Sequence, residues 1–204
     1  MTSEIKTFEE AVEFHGHTCP GLALGYRAAE AALQEIRSGR DKDEEILAIV
    51  ENDACGIDAI QVLTGCTIGK GNLIFRDYGK HVYTFLNRTT GDAVRVAERP
   101  DFTLDRIDDT IGLLRSKVMQ NTATPDEEKE FRRRSGDVVK KILEMPADKI
   151  FSITHVTLKP EEKARIFGSV KCGICGEMVA ESRARVRDGK IVCIPCSEHY
   201  SRGW

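Results

Sequence analysis

Residues 46–65 read ILAIVENDACGIDAIQVLTG, and the change of pattern inside them decides the fold class. Ile46 to Val50 is an unbroken apolar run of strand length, and Ile57 to Leu63 fits a short helix closed by Gly65. Between them lies the loop Glu51-Asn52-Asp53-Ala54-Cys55-Gly56. A buried strand passing directly into a helix belongs to a mixed α/β core. Upstream, a short helix is expected around Phe8 to Phe14, followed by the irregular stretch His15-Gly16-His17-Thr18-Cys19. Pro20 then opens a second helix, since proline is favoured at the first helical position. Its apolar residues Leu22, Tyr26, Ala29, Leu33 and Ile36 step by four, three, four and three, and Ser38-Gly39 stops it. Downstream, the glycine-rich turn Gly65 to Gly71 leads to strands at Leu73–Phe75, Val82–Leu86 and Val94–Ala97. Helices are expected near Leu104–Met119 and Pro125–Leu143, the second capped by Thr124. Phe151 to Val156 reads as a further strand, and the polar stretch Lys159 to Lys163 as a connector.

The chain has 204 residues, 41% hydrophobic and 31% charged, with 30 basic against 33 acidic side chains. A net charge of -3 gives no global attraction to nucleic acid or membrane. No apolar run approaches the about eighteen residues of a membrane span, and the acidic start MTSEIKTFEE is unlike a signal peptide. The expectation is a cytoplasmic protein without a membrane partner. Charge is unevenly spread: residues 165–204 hold seven basic and four acidic side chains, whereas residues 1–164 carry a net charge of -6. Two domains, 1–164 and 165–204, follow from that asymmetry.

Seven cysteines divide into three scattered thiols, Cys19, Cys55 and Cys66, and the quartet Cys172, Cys175, Cys193 and Cys196. An odd number with this clustering suits metal and thiolate chemistry better than a disulfide framework. In the quartet, two Cys-x2-Cys pairs are separated by seventeen residues. Each pair sets two thiolates on one tight turn, and two turns complete a closed, structural tetrahedron around zinc. Met178 to Arg187 and Lys190 to Val192 flank the hairpin turn Asp188-Gly189, and a terminal helix is expected to begin at Cys196. Knuckle, hairpin and helix make a treble-clef or ribbon-like finger; a redox pair or two disulfides are the other readings of the spacing. Arg183, Arg185 and Arg187 alternate on the expected strand, which makes either a basic stripe for nucleic acid or an acidic partner, or a solvated face. His199 reads as a surface histidine beside a zinc ion already satisfied by four thiolates.

The segment His15-Gly16-His17-Thr18-Cys19 concentrates ligand types. In an extended conformation His15, His17 and Cys19 point to one side. Cys19 immediately precedes a helix, where N–H groups favour thiolate, and Cys55 holds the same kind of position at the mouth of the next. The four residues are expected to converge on zinc or another divalent metal, with three or fewer close protein ligands and an open position. Asp53 and Glu51 are then candidates for a general base or for orienting a ligating imidazole. The plainer reading makes Cys19 and Cys55 small buried residues and the histidines loop donors. A helix between Cys55 and Cys66 disfavours a disulfide between them. Gly65 to Asn72 fails as a nucleotide P-loop in its spacing, in Gly71 and in the preceding helix. It leaves an N–H-rich turn with Lys70, able to hold an anionic or carbonyl group, or else a plain connection with Lys70 in water.

Residues 14–27 (FHGHTCPGLALGYR), 55–61 (CGIDAIQ), 64–72 (TGCTIGKGN) and 77–80 (DYGK) resemble the FmdE family, the group of formylmethanofuran dehydrogenase FmdE-like proteins. The resemblance is specific across about residues 8–90 and looser to about 158, with the finger an accessory of some members. It implies an α+β core, a mixed β-sheet flanked by helices and broadly thioredoxin-like, whose site at the His/Cys segment can hold zinc. Its motif positions are His15, His17, Cys19 and Cys55, with Cys66 and Lys70 nearby. The family name comes from association with formylmethanofuran dehydrogenase, whose chemistry resides in large pterin, metal-hydrolase and iron–sulfur subunits. Nothing of that machinery is visible here, so the name does not establish dehydrogenase activity for this chain.

The expectation is therefore a zinc protein with structural zinc in the finger and zinc or another divalent metal in the core. As an enzyme it would carry out metal-assisted chemistry on a small formyl or carbonyl substrate, with Asp53, Lys70 and Cys66 as catalytic candidates. The alternative is a non-catalytic accessory or metal-binding subunit that docks through its basic finger to an oxidoreductase or to nucleic acid. A homodimer is compatible with both.

Overall fold

In the computed structural model, which describes residues 5–159 and 163–198, the run Ile46–Val50 forms strand β1 and is buried along its whole length. Its sheet also contains β2 (Leu73–Phe75), β3 (Val82–Asn87), β4 (Ala93–Glu98) and β5 (Phe151–His155), in the order β2-β1-β3-β4-β5. β1 and β2 run parallel, and the other neighbours pair antiparallel. Burial on both faces is why β1 shows no polar alternation. Ile46, Ala48 and Val50 enter the main core, whereas Leu47 and Ile49 join Leu86 and Ala93 on the other face, under Ile74, Val156 and Leu158. The α+β class with a mixed sheet and flanking helices is borne out.

The helices are α1 (Phe8–His15), α2 (Pro20–Glu35), α3 (Gly56–Thr64), α4 (Ile111–Met119), α5 (Pro125–Glu144) and α6 (Ala147–Ile150). Thr124 caps α5 in a reciprocal box with Glu127, each side chain accepting from the other residue's amide. Leu22, Ala29 and Leu33 of α2, with Ile36 at its cap, are buried as their spacing demands. The helix expected over Leu104–Met119 is broken into a 3-10 turn, Leu104–Arg106, and α4. Asp108 causes the break: its carboxylate accepts from the Thr110 amide at 3.0 Å and hydroxyl at 2.8 Å, and is held by Arg134 at 2.8 Å. A side chain bonded this way competes with the helical ladder.

One close approach positions the site. A Cβ at Gly25 would lie 2.2 Å from the Gly56 carbonyl oxygen and 2.3 Å from its Cα, so only glycine lets α2 and α3 touch backbone to backbone. The contact draws the N-terminal ends of the two helices together, with Cys19 and Cys55 at their caps.

By its own contacts the chain divides into units of residues 1–163 and 164–204. In the second, β6 (Ser169–Lys171) pairs with β7 (Met178–Ala180), and β8 (Arg185–Arg187) with β9 (Lys190–Val192). Asp188 and Gly189, at φ of 49° and 73°, make the tight turn of the second hairpin. A 3-10 turn at Glu181–Arg183 interrupts the expected strand, so Arg183 leaves the stripe and Arg185 and Arg187 alone alternate on β8. The terminal helix expected to begin at Cys196 does not start there: Cys196 closes the 3-10 turn Ile194–Cys196 and Ser197 is extended at ψ 152°, while His199 lies outside the described residues.

Candidate metal centres

In the C-terminal unit all four thiols of Cys172, Cys175, Cys193 and Cys196 lie within 4.8 Å of one another. Cys175 Sγ and Cys193 Sγ are 3.8 Å apart. That matches the edge of about 3.8 Å for a tetrahedron of Zn–S bonds about 2.3 Å long. The Cys193 amide, then those of Ile174 and Cys175, hold the Cys172 thiol down at about 6, which favours its thiolate form. The crowded Cys193 thiol instead pushes Cys196 up to about 12. Four sulfurs this close resist carrying charge together, and a dication relieves that resistance. The donor set is closed, as structural zinc requires.

The core cluster has a different build. His15 is the last residue of α1, and Gly16 turns the chain in the left-handed region at φ 90°. The segment is therefore a helix end followed by a bend, not the extended run expected. The turn still folds His17 back on His15, with ring centroids 4.4 Å apart. One ligand atom from each of His15, His17 and Cys19 lies within 4.8 Å of the others. Cys19 Sγ sits 3.9 Å from His15 Nε2 and accepts the Leu22 amide at 3.4 Å as the cap of α2. Burial pushes the Cys19 thiol up, the Leu22 amide pulls it down, and the adjacent Cys55 thiol pushes it up again. Desolvation thus overturns the lowering expected at a helix mouth. His17 is exposed, so the cluster opens to solvent on one side.

Cys55 stands beside this trio and outside it. Its thiol makes no capping bond, and a Cβ placed on Gly21 would be 3.5 Å from Cys55 Cβ. The Tyr83 hydroxyl reaches the same place from the sheet: it would be 2.8 Å from a Cβ at Gly56, and it is hydrogen-bonded to Asn52. A strand tyrosine reads in sequence as core, which is why Tyr83 escaped notice. Asp58 likewise carries no sequence signal that marks it as a site residue. One turn into α3, its Oδ2 lies 2.7 Å from His15 Nδ1.

Asp53 is exposed on the loop entering α3. Glu51 is turned away: buried, it faces Arg95 Nη2 at 3.4 Å. Cys66 and Lys70 are not brought to the cluster, because they follow the far end of α3, about 13 Å along at 1.5 Å per residue. The Cys66 thiol has no exposed surface and donates to the Ile46 carbonyl at 3.5 Å, and burial pushes it up to about 12. Lys70 Nζ binds the buried Asp41 carboxylate at 2.7 Å, so it anchors the glycine-rich turn to the core.

Residues 14–152 match the family described as FmdE, Molybdenum formylmethanofuran dehydrogenase operon, and residues 165–202 match the prokaryotic dksA/traR C4-type zinc finger. A similar protein is the probable S-adenosyl-L-methionine-binding protein of Archaeoglobus fulgidus, 34% identical over 199 residues. That match takes in 93% of this chain and 52% of the relative, so the chain spans about half the relative's length. A tungsten formylmethanofuran dehydrogenase FmdE-like protein from Syntrophus aciditrophicus, solved by crystallography, shares the fold with a TM-score of 0.56. The two are 24% identical, and 96% of each chain is covered.

Proposed function

The chain belongs to the FmdE family and carries a C4-type zinc finger, and from the geometry of its His15, His17 and Cys19 cluster we propose a second, functional metal site in its core. In this reading His15, His17 and Cys19 bind zinc or another first-row divalent ion, with Cys55 alongside. The convergence of three donor atoms within 4.8 Å at an exposed helix mouth carries the reading. Two imidazoles and one thiolate form a mixed nitrogen and sulfur set suited to zinc, and three ligands leave a position open. A divalent ion bound there supplies Lewis acidity toward a carbonyl oxygen or a water molecule. The substrate class is a small formyl or carbonyl compound, entering from the solvent side of His17. Asp53, exposed two residues before Cys55, moves the proton. A cytoplasmic setting suits the site, since a reducing compartment keeps its thiols free.

A second reading makes the chain an accessory subunit of a larger oxidoreductase, as a homodimer or within a mixed assembly. It is favoured by the matching family's description, which names a dehydrogenase operon. Arg185 and Arg187, on the exposed β8, would then meet the partner, protein or nucleic acid. Among the described residues no helix is long and apolar enough to cross a membrane.

Turnover separates the two. Steady release of product from a panel of formyl and carbonyl compounds, lost in Cys55→Ser, is expected of the enzyme. A chain that retains core metal and captures a partner oxidoreductase without turning over any compound has the accessory role instead.

A further inference from the structure

We propose that Asp58 is the positioning residue of the core centre: it holds His15 with its proton on Nδ1 and so presents the Nε2 lone pair to the point shared with His17 and Cys19. The proposal rests on the metal reading above, and it adds a role to a residue outside the ligand set. The Asp58 Oδ2 to His15 Nδ1 distance is 2.7 Å, a short hydrogen bond to a carboxylate. The His15 side chain is 11% exposed, so water has little access to compete for Nδ1. With Nδ1–H donated, the opposite ring nitrogen is an acceptor, and it is Nε2 that lies 3.9 Å from Cys19 Sγ.

Asp58 is itself held. It sits in the first turn of α3, where the unpaired amides favour a negative charge, and its Oδ1 accepts from the Gln61 side chain at 3.4 Å. Cys55 and Asp58 lie three residues apart at the start of α3 and face the cluster together. One helix end therefore delivers a neighbouring thiol and the carboxylate that orients an imidazole on another helix. A carboxylate partner of this kind raises the basicity of a ligating imidazole, and its removal typically weakens metal binding about 10–100-fold.

The rival account makes the pair a strut between α1 and α3, with no part in ligation. Two measurements on the full chain, with the finger zinc retained, separate them. Long-range 1H–15N correlation without core metal reads the His15 tautomer, and Co2+ titration reads core affinity. The expected result for Asp58→Ala is loss of the Nδ1–H preference and a roughly 10–100-fold weaker core Co2+ site, with cooperative unfolding preserved. An unchanged tautomer in that variant overturns the proposal. If Asp58→Ala does not fold, Asp58→Asn keeps the size and an inter-helix hydrogen bond while removing the charge. Weakened Co2+ binding in Asp58→Asn then supports the role, and wild-type affinity overturns it. A wild-type chain that takes up no core metal but whose His15 tautomer follows Asp58 overturns the metal reading alone.

Discussion

Replacing Cys172 by serine is expected to unfold the C-terminal unit and leave the N-terminal unit standing. Among the described residues of that unit, Cys172 and Val192 are the buried apolar side chains, so its hairpins rest on almost no hydrophobic core. So little buried surface cannot offset the cost of ordering some forty residues, roughly 1–2 kcal/mol each for the backbone alone. Structural zinc supplies about 10–16 kcal/mol in small domains of this type, and that energy is folding energy. Cys172 is the most engaged of the four ligands: it is 1% exposed and accepts the Cys193 amide at 3.3 Å. In Cys172→Ser, or after chelation, amide signals of residues 169–192 should collapse to random-coil positions while those of the sheet persist. Retention of the hairpin signals without zinc would contradict the assignment.

Asp41→Ala carries the second large effect, about 3–5 kcal/mol of stability lost from the N-terminal unit. The Asp41 side chain has no exposure, and three donors converge on it: Lys70 Nζ at 2.7 Å, Asn72 Nδ2 at 2.7 Å and the Ile46 amide at 3.1 Å. Truncation strands a partly buried ammonium and removes an acceptor from a buried amide at the start of the central strand. For a unit of this size the loss corresponds to a fall of roughly 10 °C in melting temperature. Urea unfolding followed by circular dichroism should show a lower midpoint at unchanged slope. A shift under about 1 kcal/mol would mean that the network is solvated and that Lys70 is free for another task.

That network also shows where the sequence was legible and where it was not. β1 and α3 were readable because burial on two faces leaves an unbroken apolar run, and because Gly65 marks the helix end. The stripe of α2 was readable for the same kind of reason, a periodicity that packing enforces. Partners distant in sequence were invisible. Lys70 beside a glycine-rich turn reads either as a substrate ligand or as a lysine in water, and its partner, Asp41, lies 29 residues earlier. Asp108, which breaks a periodic segment by accepting from Thr110, is held in place by Arg134, 26 residues away. At the core site the donors His15, His17 and Cys19 were legible as chemistry, whereas their geometry was not. It depends on the left-handed turn at Gly16 and on the Gly25–Gly56 contact, which a list of ligand types does not contain. Asp58 reads in sequence as an ordinary acidic residue in a first helical turn, and its bond to His15 spans 43 positions.

The most direct test of the core site is metal stoichiometry, measured by elemental analysis of the full chain under reducing conditions beside His17→Ala and Cys19→Ser. Two divalent ions per wild-type chain and one in each variant are the predicted result, the remaining ion being the zinc of the finger. One ion per chain in all three proteins would contradict a metal centre in the core.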